Sequence, residues 1–190
     1  MNPPPTATPV RPVLEPLDTF YREAGRVLPA ARLLTPAGIR EPFRRLLVHP
    51  TDMTSTLEAF HDDSIHLVVE SRRTVGDELW REVVLTLDTS GMPVEFGAIR
   101  IWVDRFPAGS RELILGCHRP LGRILNESGI RYTSRPSAFF EFEPDAFLRE
   151  ILRLASEAPL YGRCNALRNE AGAVLAEIVE ILPHTRSIGL

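Results

Sequence analysis

Leu79-Trp80-Arg81-Glu82-Val83-Val84-Leu85-Thr86-Leu87 is the stretch that decides how this 190-residue chain folds. It reads as a β-strand. Strand side chains alternate faces, so Leu79, Arg81, Val83, Leu85 and Leu87 share one side. That side is apolar except for Arg81, and a guanidinium cannot shed its charge. Left unpaired in a dry core, it would cost several kcal/mol. Arg81 therefore needs a carboxylate partner, an anionic ligand, or a strand end from which its head reaches water.

Outward from this strand the pattern stays β on both sides. Ile65 to Glu70 reads as a strand before it, and Val94 to Val103 as one after the turn at Thr89-Ser90-Gly91. Short connections between three strands imply antiparallel neighbours. Ile130 to Phe142 is strand-like, with Pro136 suggesting an edge or bulge. Tyr161 to Arg168 and Ala173 to Leu182 read as strands around a turn at Glu170-Ala171-Gly172. Helices fill the rest. Leu17 to Leu47 is helical in flavour but cut by Pro29, Pro36 and Pro42. Asp52 to Phe60 reads as a helix capped by Asp52, and Leu113 to Leu125 as helix interrupted by Pro120. Asp145 to Ala155 repeats apolar residues at helical spacing. The expected fold class is α+β, an antiparallel sheet with helices packed on one face. Residues 1–12 are Pro-rich and read as a disordered tail, and residues 13–190 as one domain.

Composition narrows the function. Net charge is −3 with both signs interspersed, which argues against a nucleic-acid or membrane-surface partner. All 22 basic residues are arginine, so Schiff-base chemistry and a phosphate-loop lysine are excluded. Cys117 and Cys164 lack metal or redox-pair spacing and read as free thiols of a reducing compartment. No run is long and apolar enough for a membrane span, and no signal-peptide core opens the chain. The expected location is the cytoplasm. The five histidines show no ligand spacing, so no metal site is expected. Nothing in the sequence fixes the oligomeric state.

Candidate polar groups lie near the C-terminal end. Glu180 alternates with Ile178 and Leu182 on one face of the last strand, Glu177 with Leu175 and Val179 on the other. One of them faces the pocket side, and alternation alone does not say which. A carboxyl group there could act as acid or base with a raised pKa, or simply pair with Arg81 or Arg163. His118-Arg119-Pro120-Leu121-Gly122 reads as a loop entering a helix, where backbone N–H groups can hold a carboxylate.

Four blocks taken in order resemble the chorismate pyruvate-lyase family. They are Leu46-Leu47 with Asp52-Met53-Thr54 and Leu57-Glu58; the Arg81 strand with Asp88 and Pro93; Arg119-Pro120-Leu121-Gly122-Arg123-Ile124-Leu125; and Leu160-Tyr161-Gly162-Arg163 with Gly172 to Pro183. One departure is Ser134-Arg135-Pro136-Ser137, where the family often has Thr-Arg-Asp. The resemblance implies a chorismate lyase-like fold and cofactor-free conversion of chorismate to 4-hydroxybenzoate and pyruvate. It implies that Arg81 grips the ring carboxylate, Leu121 adds its backbone N–H, and Met53 lines the pocket. Glu180, or alternatively Glu177, would meet the ring oxygen and act as the acid/base. Arg81 suits its part because its fork matches a carboxylate bidentately.

Two rival readings stand beside the lyase. The same fold resembles the ligand-sensing domains of GntR-type transcription regulators, which implies a non-catalytic domain binding a small aromatic or cyclic carboxylic acid. About 45 mixed residues precede the first block, too few for the winged helix such regulators carry. The other rival is an enzyme of this fold acting on a different cyclic acid.

Overall fold

The computed structural model describes residues 14–184, so the tail expected over residues 1–12 lies outside the described residues. In chain order the elements are α1 (Leu17–Glu23), β1 (Arg32–Leu34), α2 (Phe43–Leu47), α3 (Met53–His61), β2 (Ile65–Val75), β3 (Glu78–Leu87) and β4 (Pro93–Trp102). Then come α4 (Ala108–Gly116), α5 (Leu121–Glu127), β5 (Tyr132–Phe142), α6 (Ala146–Ile151), β6 (Leu160–Asn169) and β7 (Val174–Leu182). The strands form one seven-stranded sheet in the order β1-β5-β6-β7-β4-β3-β2. Every neighbouring pair is antiparallel. The fold is therefore the α+β antiparallel sheet that the strand pattern implied.

Local chemistry accounts for the boundaries. Asp52 caps α3 by accepting from the Ser55 N–H at 2.8 Å, and Asp145 caps α6 by accepting from the Leu148 N–H at 2.9 Å. The helix expected over 145–155 stops at Ile151, and Arg153 already has a left-handed backbone with φ 49°. In β5 the register shifts between Pro136 and Ala138, because Pro136 has no N–H to give a ladder. In β2 it shifts between Val69 and Ser71.

Register brings the decisive residues into rows. Arg81 on β3 pairs with Ile99 on β4, Ile99 with Ile178 on β7, and Ile178 with Asn165 on β6. The next row on the same face runs Val83, Gly97, Glu180, Arg163, and Leu85 pairs with Glu95 one step further. Helices α2 to α5 pack on this face in two apolar clusters. One joins Phe43, Leu47, Met53 and Leu57 to Ile65, Leu85 and Leu87. The other joins Ile114, Leu121, Ile124 and Leu125 to Leu79, Ile99 and Ile101. The reverse face is also covered: Leu17, Phe20 and Tyr21 of α1, with Leu148 of α6, pack on Trp80, Val84, Phe96, Ala98, Val179 and Ile181. Each large apolar side chain so buried contributes about 1.5–3 kcal/mol.

Candidate functional site

Between the two helix-side clusters the sheet is left open, and a partly open cavity of about 60 Å³ forms there. Its floor is the two rows just described. Its roof is the start of α3, with Asp52, Met53 and Thr54, and the start of α5, with Pro120, Leu121 and Gly122. The two helix starts touch closely. A Cβ at Gly122 would lie 2.6 Å from Asp52 Oδ1 and 2.9 Å from its Cγ, so any larger residue there would push the Asp52 side chain aside. Gly97 opens the floor, since a Cβ there would sit 3.2 Å from Val83 Cγ2 and 3.4 Å from Glu95 Oε1. The walls are apolar: Met53, Leu67, Val83, Leu85, Leu121 and Ile178.

Arg81 is 1% exposed and reaches into this pocket. Its Nε and Nη1 are buried and have no hydrogen-bond partner. Burial lowers its pKa, and the adjacent Cys117 thiol partly opposes that. No carboxylate among the described residues pairs with it, so the structural ion pair considered from sequence is not the answer for this arginine.

Arg163 takes that part instead. It is 0% exposed, and its Nε donates to Glu180 Oε2. Its remaining donors reach backbone carbonyls, Nη1 to Leu47 at 2.9 Å and His49 at 3.2 Å and Nη2 to Thr51 at 3.4 Å, and Nη1 also lies 3.4 Å from His49 Nε2. The pair thus fastens the segment that leads into α3. His49 packs against the same guanidinium, and burial with that charge lowers its pKa.

Sequence-derived positions fall as follows. Met53, Arg81, Leu121 and Glu180 all line the pocket. Glu177 does not: it lies on the other face of β7, opposite Arg100, with a 3.9 Å contact to it. Ser134, in the segment that departs from the lyase pattern, is buried and hydrogen-bonded to Asn165 at 3.0 Å.

Two polar pocket residues have no counterpart in the sequence reading. Asn165 is one. Glu95 is the other: it is 4% exposed, lines the pocket, and its Oε2 has no hydrogen-bond partner. Burial foremost, then the charge of Glu180, raise its pKa well above the ordinary carboxylate range. The available signal was the alternation of Glu95, Gly97, Ile99 and Ile101, which puts a carboxyl group on the same face as Arg81.

No protein-family model matches this sequence, and no curated protein is similar to it. Solved structures do share the fold. PhnF from Mycobacterium smegmatis superposes with a TM-score of 0.56 at 17% identity, over 72% of this chain and 65% of that one. The aligned part is thus just under two thirds of PhnF. The isolated effector domain of PhnF gives 0.54 at 18% identity, over 72% of this chain and 90% of that one. YydK from Bacillus subtilis, described as a possible transcriptional regulator, gives 0.51 at 10% identity, over 69% of this chain and 62% of that one.

The antiparallel α+β fold of this chain is thus shared with the effector domain of PhnF. The expectation of an enzyme, a lyase acting on chorismate, is corrected by this likeness. Among the structures sharing the fold are the effector domain of PhnF and a possible transcriptional regulator. Residue pattern alone could not separate the two, because a buried arginine beside an apolar wall serves capture as well as conversion.

Proposed function

We propose that this chain is a non-catalytic binding domain for a small organic acid with an apolar body, as the sensor-like alternative from sequence has it. The observation that carries the reading is Arg81, a fully buried guanidinium with two donors free, set in an apolar pocket. Such a cation is costly while empty. An anion that enters the pocket gains charge-assisted hydrogen bonds in a low-dielectric site, and those are about twice as strong as neutral ones. The apolar walls then bury the rest of the ligand. Its fold likeness to the PhnF effector domain supports capture over conversion.

The preferred ligand class is an aromatic or cyclic carboxylic acid. A flat ring fits between the β3–β4 floor and the starts of α3 and α5, and its carboxylate meets the Arg81 fork. Calorimetry with benzoate and benzamide tests this. Benzoate binds and benzamide does not, Arg81→Gln weakens benzoate by about 30-fold or more, and chromatography recovers the acid unchanged. Equal binding of the acid and the amide would overturn the reading.

A further inference from the structure

Arg81 accounts for one end of the pocket, and the other end carries an unexplained group. Glu95 is buried, borders the cavity, and leaves Oε2 without a hydrogen-bond partner. A buried polar atom left unsatisfied costs free energy that evolution ordinarily removes. Here the space beside it is kept open by Gly97, where even one methyl group would crowd Glu95 Oε1 and Val83. Ile99, the register partner of Arg81, is four residues along β4 from Glu95. That spacing separates the two backbones by about 13 Å. Both side chains border the same cavity, so a ligand that spans it touches both ends.

The charged neighbours decide which form Glu95 holds. From β7 it faces Glu180, from the start of α3 Asp52, from β6 Arg163, and from β3 Arg81 along the same cavity. Arg163 is committed to Glu180 and to three backbone carbonyls. Two nearby carboxylates and burial outweigh a cation already paired with Glu180, and Arg81 stands four residues away along the floor, so Glu95 stands as the neutral acid.

We propose that Glu95 is the second recognition residue of this pocket, a neutral carboxyl O–H that donates to a hydrogen-bond acceptor at the ligand end opposite the anion. The proposal rests on the acid-binding reading above and narrows it. The ligand is a monoanion with a neutral acceptor such as a carbonyl or ether oxygen at its far end. A dianion is rejected, because its second charge would meet Glu95, Glu180 and Asp52 together.

The test is calorimetry on the full chain with 4-acetylbenzoate, its near-isostere 4-isopropylbenzoate, and terephthalate. Wild type prefers the acetyl acid to the isopropyl acid by about tenfold, the worth of one neutral hydrogen bond, and binds terephthalate weakest. Glu95→Gln keeps a donor and keeps the preference; Glu95→Leu loses it while still binding the isopropyl acid. As pH rises and Glu95 ionises, the wild-type preference declines, whereas that of Glu95→Gln stays flat. A preference that survives in Glu95→Leu, or one whose pH dependence persists in Glu95→Gln, would overturn the assignment. If the acids bind through Arg81 without distinguishing acetyl from isopropyl, Glu95 is refuted and the acid-binding reading stands. If no acid binds wild type, both fall.

Discussion

Arg163 and Glu180 face each other across β6 and β7, both buried, and the arginine's other donors reach backbone carbonyls and the His49 ring in the segment entering α3. Removing either partner strands the other in the core. Glu180→Leu leaves a buried guanidinium uncompensated and is expected to lower stability by about 3–5 kcal/mol. Urea unfolding measures this. Because Arg163 also holds residues 47, 49 and 51, Arg163→Met is expected to raise amide exchange in that segment as well.

Arg81 behaves in the opposite way, since no carboxylate among the described residues pairs with it and its Nε and Nη1 have no hydrogen-bond partner. Arg81→Met swaps a lone buried cation for an apolar chain of similar length, and replacing buried charge with apolar groups is often stabilising. The ligand-free variant is expected to melt about 2–8 °C higher than wild type, taking about 1–2 kcal/mol and the usual slope for this size. It binds no acid. A variant that melts lower would show that Arg81 is already paired without ligand.

Two glycines set the limits of close approach. At Gly162 a Cβ would fall 2.6 Å from the Glu180 backbone oxygen and 2.5 Å from Phe140 Cζ. At Gly122 the clash is with the Asp52 side chain, which can shift at the expense of its cap on α3. Gly162→Ala is therefore expected to be the more damaging, about 3 kcal/mol or beyond against about 1–2 kcal/mol for Gly122→Ala. Denaturation midpoints of the two variants check the order. Gly122→Ala additionally weakens acid binding, because Asp52 and Gly122 both line the pocket.

Glu95 gives a pH signature. Its folded-state pKa lies above that of the unfolded chain, so between the two values the native state holds the extra proton and stability falls as pH rises. The contribution is fully present below the ordinary carboxylate range and is lost as pH climbs through the folded value. Glu95→Gln lacks that titration. Its stability relative to wild type is therefore expected to be flat in acid and to grow as pH rises above the ordinary carboxylate range, as unfolding curves at a series of pH values will show.

Much of this was written in the alternation of β3. Arg81 among Leu79, Val83 and Leu85 announced both the strand and its odd cation, and the turns around it gave antiparallel order. Which C-terminal glutamate faced the pocket needed the register between β4 and β7, which sequence does not state. Glu95 escaped because a single carboxylate on an alternating strand looks solvent-facing until both faces of the sheet are known to be covered. Here α1 and α6 close the reverse face, and no local pattern says that two distant helices will meet there.

An open sheet ends in two rims where unpaired N–H and C=O groups could recruit another chain. At one rim β1 shields only three residues of β5. Beyond that cover come Pro136, which offers no donor, and the bulge beside it. At the other rim β2 is broken by its own bulge, with Glu70, Arg72 and Arg73 close by. The irregularities of the sheet thus sit where regularity would be a hazard, and they discourage this domain from growing strand by strand into aggregates.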